Sequence, residues 1–402
     1  MPSPVRGPER VLIYSHDTFG LGHLRRARAI ANALVADRPG RAVLILSGSP
    51  LVGSFEFGPG VDLVRLPGVT KLPEGDYRSL NLALPLDDAV ALRSAIIRQC
   101  ADTFRPDLFL VDKEPTGFHG EVLPALDLLA ARGCRLVIGL RDVLDDPALV
   151  APEWARKGAT AALARYDDAW IYGRPEVYRP LEGLVLPPGV AERIVYTGYL
   201  RREAPLPSGL TTHPEVTRGP YLLVTAGGGG DGEDLIGWVI AAYEARPDLM
   251  PALIVFGPFF ARERRAAHLA RIARHPRLSA LAFDSRLELL MRGAAGVVAM
   301  GGYNTFCEIL SFDRPALIVP RTRPRREQLI RARAAARLGL SRMLTDEDDC
   351  GRRDPARMAE ALAALPAAPR PSGAAHPVPG LLAGLDAIVR LADRPDRRLA
   401  AE

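Results

Sequence analysis

The first apolar run of the chain ends in Ser15-His16-Asp17-Thr18-Phe19-Gly20-Leu21-Gly22-His23, and a helical pattern opens near Leu24. An imidazole at a helix start sits at the positive end of the helix dipole, which favours its neutral form. A neutral imidazole can take a proton, so His23 is a candidate general base. The competing reading is a capping or packed histidine. Arg25 and Arg26 follow directly, and they read either as an anion contact or as a water-facing pair. Two further polar groups end apolar runs: Asp112-Lys113-Glu114 and Arg141-Asp142. His16, Asp17, Gly22, Asp112, Glu114 and Arg141 together form a candidate substrate-side set around His23. Loop capping and salt bridging are their plainer roles.

A different chemistry recurs in the second half. Gly227-Gly228-Gly229-Gly230-Asp231 and Gly301-Gly302-Tyr303-Asn304-Thr305 each follow an apolar run and precede a helical pattern. A loop without Cβ atoms lets backbone N–H groups approach an anion, and the helix start adds a positive dipole. Two such loops in one half favour a phosphate-bearing ligand over simple tight turns. The Gly20–His23 turn lacks the third glycine of a dinucleotide fingerprint. Asp346, Glu347, Asp348 and Asp349 read as a solvated acidic turn rather than a metal site. For Arg321, Arg323, Arg325 and Arg326, just before Gln328, anion steering and an ordinary basic loop are equally open.

These residues need a scaffold that gathers strand ends. Apolar runs at Val11–Ser15, Ala42–Ser47, Val61–Leu66, Asp107–Asp112, Arg135–Leu140, Ala169–Gly173 and Arg193–Thr197 alternate with helical patterns. Several are nearly unbroken, as expected of strands covered on both faces. Such alternation implies βαβ units and a parallel sheet. In such sheets ligands bind beyond the carboxyl ends of the strands, where the His23 turn, the Asp112 and Arg141 groups and both glycine loops fall. Residues 201–220, with Pro205, Pro207, Pro214 and Pro220, read as a linker. The alternation restarts at Tyr221–Thr225, Leu253–Phe256, Leu278–Phe283, Gly296–Met300 and Ala316–Val319. Leu381, Leu382, Leu385, Ile388 and Val389 form one stripe of a last helix. The fold expected is α/β, with two Rossmann-like domains over residues 1–204 and 205–402 and a cleft between them.

Composition agrees with this. A chain of 402 residues, 48% of them hydrophobic, suits two cores rather than one. At 25% charged residues, disorder is not expected. The net charge of +5 is spread along the chain, which disfavours a nucleic-acid binder. Cys100, Cys134, Cys307 and Cys350 have no zinc spacing and suit a reducing compartment. No signal-like start and no apolar run of ~20 residues is seen. A cytoplasmic protein is expected, with peripheral membrane contact left open.

The G-L-G-H turn, the second-half glycine loop, and the ordered series Phe283-Asp284, Met300–Ile309, Arg314–Pro320 and Glu327-Gln328 resemble family 28 glycosyltransferases of the GT-B fold. The best-known members of that family add N-acetylglucosamine to the lipid-linked peptidoglycan precursor. The resemblance implies an N-terminal acceptor domain and a C-terminal donor domain, with no bound metal or other cofactor. It implies catalysis by His23 and acceptor contacts from the substrate-side set. It implies donor contacts from Gly228, Gly229, Phe283, Gly301, Gly302, Asn304 and Thr305, a ribose contact from Glu308, and donor-sugar contacts from Gln328. Glu327-Gln328 stands where the family usually has Asp-Gln. The implied reaction moves a sugar from a nucleoside diphosphate, uridine diphosphate first, to a hydroxyl on a lipid-linked, polysaccharide or small-molecule acceptor. The Gly20–Arg25 run is also similar to nucleotide-sugar hydrolases of the same architecture, and a non-catalytic sugar-nucleotide sensor is a third reading.

Overall fold

Each apolar run of the first half forms a strand, and the central ones are buried along nearly their whole length. The computed structural model describes residues 9–16, 22–54, 56–71, 77–204, 214–346 and 352–394. In chain order these give β1 (Arg10–Ser15), α1 (Gly22–Asp37), β2 (Ala42–Ser47), β3 (Val61–Arg65) and the antiparallel ribbon β4 (Val69–Lys71) and β5 (Tyr77–Ser79). Then follow α2 (Leu86–Phe104), β6 (Leu108–Asp112), α3 (Leu123–Ala130), β7 (Arg135–Arg141), α4 (Pro147–Arg156), α5 (Ala159–Ala162), β8 (Asp168–Tyr172) and β9 (Ile194–Tyr196). Seven of these strands make one parallel sheet in the order β3-β2-β1-β6-β7-β8-β9. β6 and β8 have no exposed residue, and in β1 only Arg10 is exposed, so polar side chains fall at their carboxyl ends.

The second series is β10 (Leu222–Thr225), α6 (Glu233–Ala245), β11 (Ala252–Val255), α7 (Arg262–Ile272), β12 (Leu278–Leu281) and α8 (Leu287–Gly293). It continues with β13 (Gly296–Ala299), α9 (Tyr303–Ser311), β14 (Ala316–Ile318), α10 (Glu327–Leu338), β15 (Arg342–Met343) and α11 (Pro355–Ala364). Its parallel sheet has the order β12-β11-β10-β13-β14-β15. Both sheets thus run outward one way from their first strand and then the other way from the fourth. The order reverses between β1 and β6 in the first sheet and between β10 and β13 in the second. A doubly wound sheet opens a crevice at that reversal, outside the carboxyl ends.

The chain divides into two compact units, residues 1–175 with 179–200 and 383–402, and residues 176–178 with 201–382. The last segment differs from the sequence expectation. Helix α12 (Gly384–Ala392) belongs to the first unit, where it packs on α1 and buries Ile388, Leu391 and Ala392. Arg41 Nη2 donates to Asp393 at 2.5 Å, and Arg135 Nη1 donates to the Leu391 carbonyl at 2.6 Å. Gly384 is required at the entry, since a Cβ there would lie 2.6 Å from the carbonyl oxygens of Gly198 and Tyr199. The helix was legible but its face was not: Leu381 and Leu382 precede it, and of the expected stripe only Ile388 is buried, joined by Leu391 and Ala392; nor does anything along the chain state which unit it covers. Of the expected linker, residues 201–204 and 214–220 are described, and Pro205 and Pro207 lie outside the described residues.

Candidate functional site

The reversal point of the first sheet holds three charged or titratable side chains in mutual contact. β1 and β6 are neighbours, with Tyr14 in register with Val111. That pairing sets Asp112, the last residue of β6, beside the start of α1. Asp112 is 3% exposed and Arg26 only 1%. Arg26 Nε donates to Asp112 Oδ1 at 2.8 Å and its Nη2 to Oδ2 at 2.6 Å, a two-pronged pair. His23 Nδ1 lies 2.5 Å from the same Oδ2. An ionised carboxylate only accepts, so this contact assigns the hydrogen to Nδ1 and leaves Nε2 with its lone pair. Arg26 Nη2 is also 2.8 Å from His23 Nδ1, and the two donors share Oδ2.

The electrostatics follow from this packing. Burial drives the His23 pKa down to about 3; Asp112 opposes that and Arg26 adds to it. Burial would raise the Asp112 carboxyl, but Arg26 and His23 outweigh it and hold the group well below the usual carboxylate range. At neutral pH the set is therefore a neutral imidazole on an ionised carboxylate that a guanidinium partly balances. The sequence left Arg26 as an anion contact or a water-facing residue. It is neither, because its charge is spent on Asp112. Its guanidinium also lies 5.8 Å from the centroid of the Tyr172 ring.

A second buried chain reaches the same place. Arg93 on α2 donates from Nε and Nη2 to the two oxygens of Glu121, both at 2.6 Å. Tyr14 Oη donates to Glu121 Oε1 at 2.6 Å and accepts from the Phe118 N–H at 3.1 Å. His16 Nδ1 lies 3.4 Å from that hydroxyl, and the His16 ring stands edge-on to His23 with centroids 5.9 Å apart. Burial, then Lys113 and His23, keep His16 well below the ordinary histidine range, so it too is neutral. Tyr14, Arg93 and Glu121 escaped the sequence reading because ordinary-looking residues far apart in the chain carry no local signal.

The other expected substrate-side residues lie along the same sheet edge. Gly22 opens α1 and Arg141 closes β7. Glu114 is buried and accepts from Lys157 at 3.3 Å. Between Asp112 and Glu114, Lys113 holds a left-handed backbone, φ 74°, which costs a non-glycine residue ~1–2 kcal/mol. Its N–H stays in the ladder, donating to the Gly139 carbonyl at 2.8 Å. Asp17 lies outside the described residues. Glu347, Asp348, Asp349 and Cys350 do too, while Asp346 pairs with Arg353 at 2.9 Å. Among the described residues, no group of three or more His, Cys, Asp or Glu side chains could hold a metal ion.

In the second unit the glycine loops lie at the carboxyl ends of β10 and β13, the reversal point of that sheet. Gly229 has φ +92°, and a Cβ on it would meet the Phe256 carbonyl oxygen at 2.7 Å and the Phe260 nitrogen at 2.9 Å. Only glycine fits there, with Gly228 beside it accepting from the Phe259 N–H at 3.0 Å. The two helix starts are not equivalent. α6 has Glu233 and Asp234 in its first turn, and these carboxylates already answer its dipole. α9 follows Gly301 and Gly302 and has no acidic residue in its first turn, which contains Asn304 and Thr305. Arg202 Nη2 donates to the Asn304 side-chain oxygen at 2.8 Å.

Glu308 is fully buried on α9, at 0% exposure. Gln328 Oε1 accepts from the Arg321 N–H at 2.9 Å, and Glu327 accepts from the Arg321 side chain at 2.5 Å, so this pair braces the loop before α10. Phe283 follows β12 and is 38% exposed. A cavity of about 680 Å³ adjoins these loops, lined among others by Asp231, Trp238, Met300, Pro320, Arg321 and Arg353. That volume falls within the range of small-molecule sites.

No protein-family model matches the sequence, and no curated protein matches it. Solved structures do. The glycosyltransferase VinC, in complex with dTDP, superposes with a TM-score of 0.58 at 18% identity, covering 96% of this chain and 95% of that one. LpCGTa in complex with UDP gives 0.59 at 16% identity, covering 96% and 94%. MurG of Acinetobacter baumannii gives 0.54 at 14% identity, covering 96% and 99%. Agreement over nearly the whole of both chains shows that this chain has the two-domain GT-B fold of such glycosyltransferases. No helix among the described residues is long and apolar enough to cross a membrane.

Proposed function

We propose that the protein is a glycosyltransferase that moves a sugar from a nucleoside diphosphate, uridine diphosphate first, to a hydroxyl acceptor. The observation that carries this is the His23–Asp112–Arg26 set at the reversal point of the first sheet. His23 Nε2 takes the proton of the acceptor hydroxyl as that oxygen attacks the anomeric carbon. The bond from that carbon to the diphosphate breaks, and its electron pair leaves on the diphosphate oxygen. Positive charge then develops on the imidazole, and Asp112 stabilises it. Arg26 keeps the carboxylate ionised and in place.

The second unit supplies the donor side. The α9 start, with Gly301 and Gly302 ahead of it, offers backbone N–H groups to the leaving diphosphate. Phe283 is an exposed ring on which a base can stack. That solved structures of this fold contain UDP and dTDP supports a pyrimidine nucleotide. The cavity beside the glycine loops has room for the sugar.

The test is calorimetry with uridine diphosphate on the whole chain, followed by donor-consumption assays with and without candidate acceptors. His23→Ala should keep donor affinity and lower turnover by roughly 10²- to 10⁴-fold, the usual worth of a general base. Unchanged turnover in a folded variant removes His23 from the reaction. Donor consumption that needs no acceptor makes the protein a hydrolase, and donor binding without turnover makes it a sensor.

A further inference from the structure

We infer that Lys113 is the docking point for an anionic group of the acceptor, a phosphate or a carboxylate, held beside His23. This rests on the acceptor being bound by the first unit, as proposed above. Lys113 directly follows Asp112 and precedes Glu114, so its position is fixed by the same β6 end that places the His23 partner. The turn is tied at two points, by the Lys113 N–H on Gly139 and by the Glu114 N–H on the Asp112 carbonyl at 3.0 Å. A left-handed lysine in so constrained a turn is retained against its backbone preference.

No carboxylate among the described residues pairs with it directly. The carboxylates around it are each claimed by another cation: Asp112 by Arg26 and His23, Glu114 by Lys157, and Glu121 by Arg93. Among the described residues the Lys113 ammonium makes no ion pair or hydrogen bond. Glu114 and Asp112 favour the protonation of Lys113 without pairing with it, while Arg141, at the end of the neighbouring strand, and Lys157 oppose it. The ammonium is also partly withdrawn from water, and burial is the main reason that its pKa falls to about 8. Burial outweighs the pull of Glu114 and Asp112 on this cation, and an incoming anion that pairs with it directly offsets that penalty. Lys113 in turn lowers the pKa of both His16 and His23 through its charge. A phosphate or carboxylate seated here also restores the Lys113 pKa towards its ordinary value.

The experiment uses the whole chain saturated with uridine diphosphate, so that anion positions in the second unit are filled. Inorganic pyrophosphate and glucuronate are then titrated separately by calorimetry at pH 7. One of them should bind saturably, pyrophosphate pointing to a phosphorylated acceptor and glucuronate to an acidic sugar. Lys113→Met should weaken that binding at least tenfold, and Lys113→Arg should keep most of it. Lys113→Gly removes the charge and the left-handed strain together, so a folded uncharged variant is secured. Wild-type binding should fade as pH rises through about 8. No saturable binding to the wild type, or binding to the Met and Gly variants as tight as to the wild type, overturns the assignment. Loss of uridine diphosphate binding in the first step strikes the glycosyltransferase reading instead, so the two failures are distinct.

Discussion

Replacing Asp112 by asparagine tests the site at its centre. Three short contacts converge on this carboxylate, one from His23 at 2.5 Å and two from Arg26 at 2.8 and 2.6 Å. In the transition state the imidazole gains a positive charge while the carboxylate stays ionised. Unit charges ~4 Å apart at an effective dielectric of ~20 attract by about 4 kcal/mol. A hydrogen bond to a charged group is worth ~1.5–3 kcal/mol by itself. An amide keeps the shape and loses most of this, so a loss of about 3–4 kcal/mol is expected, roughly 10²- to 10³-fold in turnover. Donor affinity should be unchanged, because the donor contacts proposed above belong to the second unit. Arg26 loses half of its acceptors, so chemical denaturation must accompany the assay, and a fall of up to ~3–5 kcal/mol is the range for a broken buried pair.

The pH profile discriminates further. With a His23 pKa of about 3, the wild-type base is already neutral across pH 5–9, and His23 puts no acid limb there. In Asp112→Asn the attractive charge is gone and Arg26 remains, so His23 is pushed lower still. The profile should stay flat at a reduced level. A folded Asp112→Asn enzyme with wild-type turnover refutes the reasoning, as does a His23-dependent acid limb near pH 6–7 in the wild type.

Other consequences are open to direct measurement. Gly229→Ala meets two backbone atoms at 2.7 and 2.9 Å and a positive φ, so it should cost about 1–3 kcal/mol and weaken nucleotide binding; unchanged stability and affinity would exclude a tight loop there. Uridine diphosphate should bind roughly 10- to 150-fold tighter than its 2′-deoxy counterpart if Glu308 holds the ribose, and Glu308→Ala should erase the gap. Equal wild-type affinities leave this fully buried carboxylate a packing role alone. His16 and His23 have folded pKa values below their unfolded ones, so their contribution to stability is complete above about pH 6.5 and is lost as pH falls towards their folded values. The melting temperature should therefore drop between pH 7 and pH 4.5, and by less in His16→Gln; an equal drop in both proteins removes His16 from that account.

The parallel sheets were readable because strands covered on both faces must be apolar throughout, and their ends must then be polar. That logic found His23, Asp112 and both glycine loops. It did not join His23 to Asp112, since 89 positions separate them and only the pairing of β1 with β6 brings them together. Arg26 was left between an anion contact and a water-facing residue because its burial depends on a carboxylate from another strand. The left-handed backbone of Lys113 has no local signature, lysine being a poor marker for that region. Glycine spacing gave two equal anion loops in the second unit. The acidic first turn of α6 was visible in the sequence, yet its effect on the dipole was not weighed, and it leaves the α9 start as the one of the two without a carboxylate in its first turn.

Helix α12 sets a timetable for synthesis. The first unit lacks its last element until about 180 further residues, those of the second unit, have left the ribosome, an interval of about 10–40 s at ordinary elongation rates. During that time the face of α1 that α12 covers is bare, and Arg41 and Arg135 lack their acceptors on Asp393 and Leu391. The unit begun first is thus completed last, and chains cut off before Gly384 emerge with the second unit whole and the first unfinished. Fusions or clippings near residue 390 act on the half made at the opposite end of the sequence.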